Sequence, residues 1–145
     1  MKPFSLETVL KFRKKRMDEA AKRLSKAEQT REQVALKLRE KQTEYALVVQ
    51  DIETKQQEGI TIELLIMYEE QALFLKNEIE SISKNLEEKE RIVINEKKNL
   101  LFCAKEHKIM SQLKDKQNSA WRQFLNKEET KRLDEIAVMR HLPKD

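Results

Sequence analysis

Lys55-Gln56-Gln57-Glu58-Gly59-Ile60-Thr61-Ile62-Glu63-Leu64-Leu65 holds the only glycine in a chain of 145 residues. The two prolines, Pro3 and Pro143, stand outside both periodic segments that flank it. Glycine is the residue that turns a chain at low steric cost, and proline the one that breaks a helix. A chain with one internal breaker reads as two long helices with a turn between them. Thr61 supplies a side-chain oxygen where the second helix starts, with Leu64 and Leu65 opening its apolar face. Ser5 does the same for the first helix. The expected elements are a helix over about 5–58, a turn over about 59–61, a helix over about 62–139 and a short tail, all in one domain. A turn this short sends the second helix back along the first.

The hydrophobic pattern outward from the turn agrees. Leu10, Met17, Leu24, Arg31, Leu38, Tyr45 and Ile52 recur every seven residues, apolar in six of seven places. A companion series, Leu6, Arg13, Ala20, Ala27, Val34, Lys41 and Val48, is apolar in five of seven. The second segment repeats the arrangement with Leu65, Ala72, Ile79, Leu86, Val93, Leu100, His107, Lys114 and Trp121. Its companion is Tyr68, Leu75, Ile82, Lys89, Glu96, Cys103, Met110, Gln117 and Phe124. Two interleaved series at a mean spacing of about 3.5 residues define a coiled-coil seam that winds left-handed. The fold expected is all-α, a long antiparallel two-helix coiled-coil hairpin. At about 1.5 Å per residue the helices measure roughly 80 and 115 Å. The longer one should therefore overhang the shorter by about 20 to 25 residues on the same spacing. That overhang carries Trp121, Phe124, Leu125, Leu133, Ile136 and Met139, apolar side chains that call for a cover.

Charge is sorted along the chain, although the net charge is only +4. Residues 1–26 carry nine Lys/Arg against three acids, residues 42–80 two against nine, and residues 97–145 twelve against seven. The hairpin gathers the two basic segments and leaves the turn region acidic. Charges separated by more than a Debye length act independently, so each region suits a different partner. Near the acidic turn, Tyr45, Val48, Tyr68 and Leu75 belong to the seam, while Val49, Leu73 and Phe74 fall off it and form a candidate partner patch.

Several function classes are excluded. One glycine leaves no phosphate-cradling loop and no compact α/β core. One cysteine makes no intramolecular disulfide, and no apolar run is long enough for a secretory signal or a bilayer span. The expectation is a cytoplasmic protein docked on something larger. Cys103 and His107 share a helix face, but no second pair completes a metal site. Glu87-Glu88 and Asp134-Glu135 have no pocket to raise a carboxyl pKa, so no catalytic residue, cofactor or small-molecule substrate is expected. The run Phe12-Arg13-Lys14-Lys15-Arg16 ahead of heptads invites comparison with basic-zipper readers. It lacks a base-reading Asn, is followed at once by Asp18 and Glu19, and its heptads turn back at Gly59, so no specific nucleic acid is expected.

Both termini carry recognisable patterns. Phe4-x-Leu6-x-x-Val9-Leu10-x-x-Arg13 ahead of a long heptad helix resembles the start of the flagellar export protein FliJ family. Glu129-x-Lys131-x-Leu133-Asp134-Glu135-x-Ala137-x-x-Arg140 resembles that family's C-terminal motif, and Gly59-Ile60 followed by Tyr68 and Leu75 fits its turn region. Virulence type III secretion stalk proteins share the N-terminal pattern; the Asp134-Glu135-x-Ala137 ending favours the flagellar branch. The resemblance implies a non-enzymatic hairpin similar to the γ-subunit stalk of rotary ATPases. It implies that Phe4, Leu6, Val9, Leu10, Arg13, Leu133, Asp134, Glu135, Ile136 and Arg140 contact a hexameric export ATPase, whose ring the stalk activates. It further implies that the turn-proximal half, with Tyr45, Val49, Tyr68, Leu73, Phe74 and Leu75, meets the export gate's membrane protein, and that export chaperones are partners. Such a protein is peripherally associated with the inner-membrane export apparatus. A self-associating coiled-coil spacer and a nonspecific nucleic-acid binder are the readings that stand beside it.

Overall fold

A computed structural model of the chain describes residues 6–141. Two α-helices account for nearly all of them: α1, Glu7–Glu58, and α2, Ile62–His141. They pack against each other as an antiparallel hairpin. Ser5, Phe4, Pro3 and Pro143 lie outside the described residues. Leu10 N–H donates to Leu6 O at 3.0 Å where α1 begins. Thr61 caps α2 as the sequence leads one to expect: its Oγ1 accepts from Leu64 N–H at 3.3 Å, and its carbonyl from Leu65 N–H at 3.0 Å. Each helix carries an acid in its first turn, Glu7 and Glu63, where the helix dipole favours negative charge.

By compactness the chain forms two units. One joins residues 1–19 to 101–145; the other is 20–100 and contains the turn. In both, the heptad seam is the interior. From Leu10 to Trp121, every position of the four series is buried or half-buried, polar ones included. The buried residues Ala20, Val48, Leu75, Val93, Cys103 and Met110 all fall on it. Off-seam apolar residues such as Leu47, Met67, Leu73 and Phe74 stay more than half exposed. A two-helix hairpin buries one stripe per helix and nothing more, which is why heptad position alone decides burial here.

Four cations at or beside the seam are met by acids of the other helix. In the 20–100 unit Arg23 Nε lies 3.5 Å from Glu96 Oε2, and Lys41 Nζ lies 3.4 Å from Glu78 Oε2. In the other unit Lys114 Nζ lies 3.3 Å from Glu7 Oε2, and Arg16 Nη1 lies 4.0 Å from Glu106 Oε2. Numbers of the paired residues total 119 to 122, so the pairs record one antiparallel register. Because heptads permit a slip of seven residues, such pairs discriminate among alignments that the apolar seam alone tolerates.

Lys41 is the clearest of these. Its ammonium is held above the ordinary lysine value of 10.5, first by the Glu44 carboxylate and then by Glu78. A cation whose pKa rises on folding stabilises the fold below the unfolded value. That contribution disappears as pH climbs through the folded value. Chemical denaturation at pH 9 and pH 11 should therefore show a larger loss of stability for the native chain than for Lys41→Met. Equal losses would remove Lys41 from the register-setting pairs. A second expectation concerns the turn. Gly59 has φ +96°, and a Cβ there would meet nothing within 4 Å, so only backbone strain opposes a side chain. Gly59→Ala should cost about 1–2 kcal/mol, the penalty of a left-handed residue, seen as a lower denaturation midpoint at unchanged helicity.

Candidate functional site

Glu7, the first residue of α1, faces Lys114. Beyond that point α2 continues to His141 with no described residue of α1 across from it. Residues 122–140 are exposed without exception. A helix whose apolar face lacks a partner should place polar residues there, yet Phe124, Leu125, Leu133, Ile136, Val138 and Met139 are all exposed. Trp121 and Phe124 stack on each other with ring centroids 5.5 Å apart and planes inclined by 21°, which covers part of both rings. Nothing comparable covers Leu133 or Met139, at 60% and 71% exposure.

The residues that the sequence marks for a ring contact divide between the two helices. On α1, Leu6 and Val9 are exposed, and Leu10 is half-buried as a seam residue. Arg13 is half-buried and donates from Nη1 to Glu106 O at 3.1 Å, so its guanidinium braces α1 against α2. On α2, Leu133, Asp134, Glu135, Ile136 and Arg140 all stand exposed on the unpaired stretch. Leu6, Val9, Arg13 and these α2 residues belong to the same unit. Phe4 lies outside the described residues.

The turn-proximal set divides by heptad position. Tyr45 and Tyr68 are half-buried seam residues, and Leu75 is buried. Val49 is half-buried beside the seam. Leu73 and Phe74, 58% and 63% exposed, are the members left on the surface.

The residues that could do chemistry are dispersed. Cys103 is buried in the seam, and no group of three or more potential metal ligands exists among the described residues. A groove of about 260 Å³ lies beside Ala27, where a small seam side chain leaves room, with Arg23, Lys26 and Lys89 along it. Glu96 takes up Arg23, and the Thr30 hydroxyl donates to Lys26 O at 3.0 Å. No described helix is long and apolar enough to cross a membrane. Sequence reading misses the row of cross-helix ion pairs, because their partners appear only once the register is known.

Comparison with known proteins bears on this arrangement. Residues 1–144 match the family described as Flagellar FliJ protein. Among solved structures, a protein described as a homolog of YscO, CT670 from Chlamydia trachomatis, superposes with a TM-score of 0.53 at 21% identity. The match covers 97% of this chain and 96% of that one, a likeness of fold. No curated protein matches.

The unpaired end of α2 has a direct consequence. Trypsin should cut first at Arg122, Lys127, Lys131 and Arg132, whose helical turns have no packing partner, and only later at Lys89 or Lys97. Equal cleavage rates in the two regions would mean that the end of α2 is covered in the free protein.

Proposed function

This chain belongs to the flagellar FliJ family, and we propose that it acts as a central-stalk-like activator of the hexameric export ATPase. Family membership supports a part in flagellar protein export, and the two-helix hairpin supports a non-enzymatic, stalk-like role in it. The finer reading rests on one observation: α2 runs past α1 as an exposed helix whose apolar side chains, the Trp121–Phe124 stack aside, have no partner within the described residues. A hexameric ring has a central opening, and a protruding helix is the shape that fills one. In this reading Leu6, Val9, Leu133 and Ile136 bury against the ring, with Phe4 and Leu10 beside them. Arg13 fixes the helix pair that presents them, and Asp134, Glu135 and Arg140 form the polar rim.

The mechanism is differential binding. The stalk catalyses nothing; it favours the assembled, hydrolysing conformation of the ring by the difference in its affinity for that state and the others. A difference of about 3 kcal/mol shifts such an equilibrium more than a hundredfold. The exposed pair Leu73 and Phe74, in an acidic stretch, is the surface offered to the membrane protein of the export gate, with Tyr45, Val49, Tyr68 and Leu75 shaping the helix pair beneath. Export chaperones are further partners. The protein works at the cytoplasmic side of the inner membrane.

ATP hydrolysis by the cognate export ATPase, titrated with this chain, tests the reading. Stimulation should saturate near one chain per six ATPase subunits. Leu133→Asp with Ile136→Asp should remove about 2–4 kcal/mol of contact energy and abolish stimulation, with helicity by circular dichroism unchanged. A double variant that stimulates as well as the native chain would move the ring contact elsewhere.

A further inference from the structure

The unit formed by both chain ends carries a second exposed surface, away from the protruding part of α2. Arg16 of α1 links two rows of side chains. Its guanidinium carbon lies 5.9 Å from the centroid of the Phe12 ring, and its Nη1 lies 4.0 Å from Glu106 Oε2 of α2. Phe12 sits four residues before Arg16. Phe102 and Ile109 sit four before and three after Glu106, so each row occupies one face of its helix. The Arg16–Glu106 pair sets these rows side by side. Phe12, Phe102 and Ile109 are 59%, 55% and 59% exposed. Cations flank them, all exposed: Lys15 one turn after Phe12, Lys105 between Phe102 and Ile109, and Lys11 about a quarter turn round α1 from Phe12. Residues 8–17 hold five Lys/Arg and no acid. Of the acids near this face, Glu106 is engaged by Arg16, and Glu19, three residues beyond Arg16, stands exposed at its edge.

We propose that this apolar and basic face docks on an anionic phospholipid surface. The residue types select the occupant. Lysine is depleted from protein interfaces, which argues against a protein partner. A nucleic-acid duplex, bound through its phosphates, has no use for three exposed apolar side chains. A bilayer surface uses both: aromatic and aliphatic groups enter the headgroup boundary while lysines reach anionic headgroups on flexible stems. The proposal does not rest on the stalk reading, because Phe12, Phe102 and Ile109 are not ring-contact residues.

Co-sedimentation of the full chain with phosphatidylglycerol-containing vesicles and with pure phosphatidylcholine vesicles tests it. Binding should appear only with the anionic vesicles and fall steeply with salt. Each surface cation contributes roughly fivefold, so Lys11→Gln, Lys15→Gln and Lys105→Gln together should weaken binding about 100-fold. Phe12→Ser with Phe102→Ser should weaken it roughly tenfold or more. As an independent readout, Phe12→Trp in a Trp121→Phe background should shift its emission to the blue on anionic vesicles and not on neutral ones. These variants should still stimulate the ATPase, which separates failure here from failure of the stalk reading. No binding by the native chain, equal binding to both vesicle types, or an unshifted emission would each overturn the proposal. Retention on duplex DNA that ignores the Phe substitutions, with no vesicle binding, would overturn it in favour of a phosphate-only surface.

Discussion

One apolar seam, a single side chain wide on each helix, carries the cohesion of this molecule. Among the described residues there is no second layer behind it. Of the described residues only Ala20, Val48, Leu75, Val93, Cys103 and Met110 are buried, and they are strung out along the two helices. Stability is therefore assembled locally, turn by turn, from neighbours a few residues away. Such a construction is close to one-dimensional, and its parts can loosen without the whole unfolding.

A seam of this kind has no intrinsic alignment, because every heptad looks much like the next. Polar residues at or beside the seam supply what the apolar ones cannot. Arg23 with Glu96, Lys41 with Glu78 and Lys114 with Glu7 each draw an acid from the opposite helix. Exposed pairs contribute little, about 0.2–1 kcal/mol each. Their effect lies in the comparison with misaligned pairings, in which the same charges would lose their partners. Interruptions of the hydrophobic pattern thus specify what the pattern leaves open.

This explains which parts of the molecule were legible in the sequence. Gly59 and Thr61 fixed the turn and the start of α2, because positive φ and helix capping are local demands. The heptad series identified the seam, because burial in a two-helix hairpin follows position in the repeat. Lys41 read singly only interrupts an apolar series, since its partner Glu78 lies dozens of residues away. The surface built on Phe12, Phe102 and Ile109 was invisible for the same reason: Phe12 drew notice only as part of a basic run. The unpaired end of α2 was legible as a difference in helix length. No periodicity in the sequence says what covers it.

Cys103, 2% exposed in the seam, gives the molecule a built-in clock. A thiol there meets an alkylating reagent only when the two helices part locally. Its rate of modification counts those openings, at a point that includes neither the turn nor the protruding helix. Breathing of the helix pair could then be timed with the protein free and again with it engaged, without altering a residue.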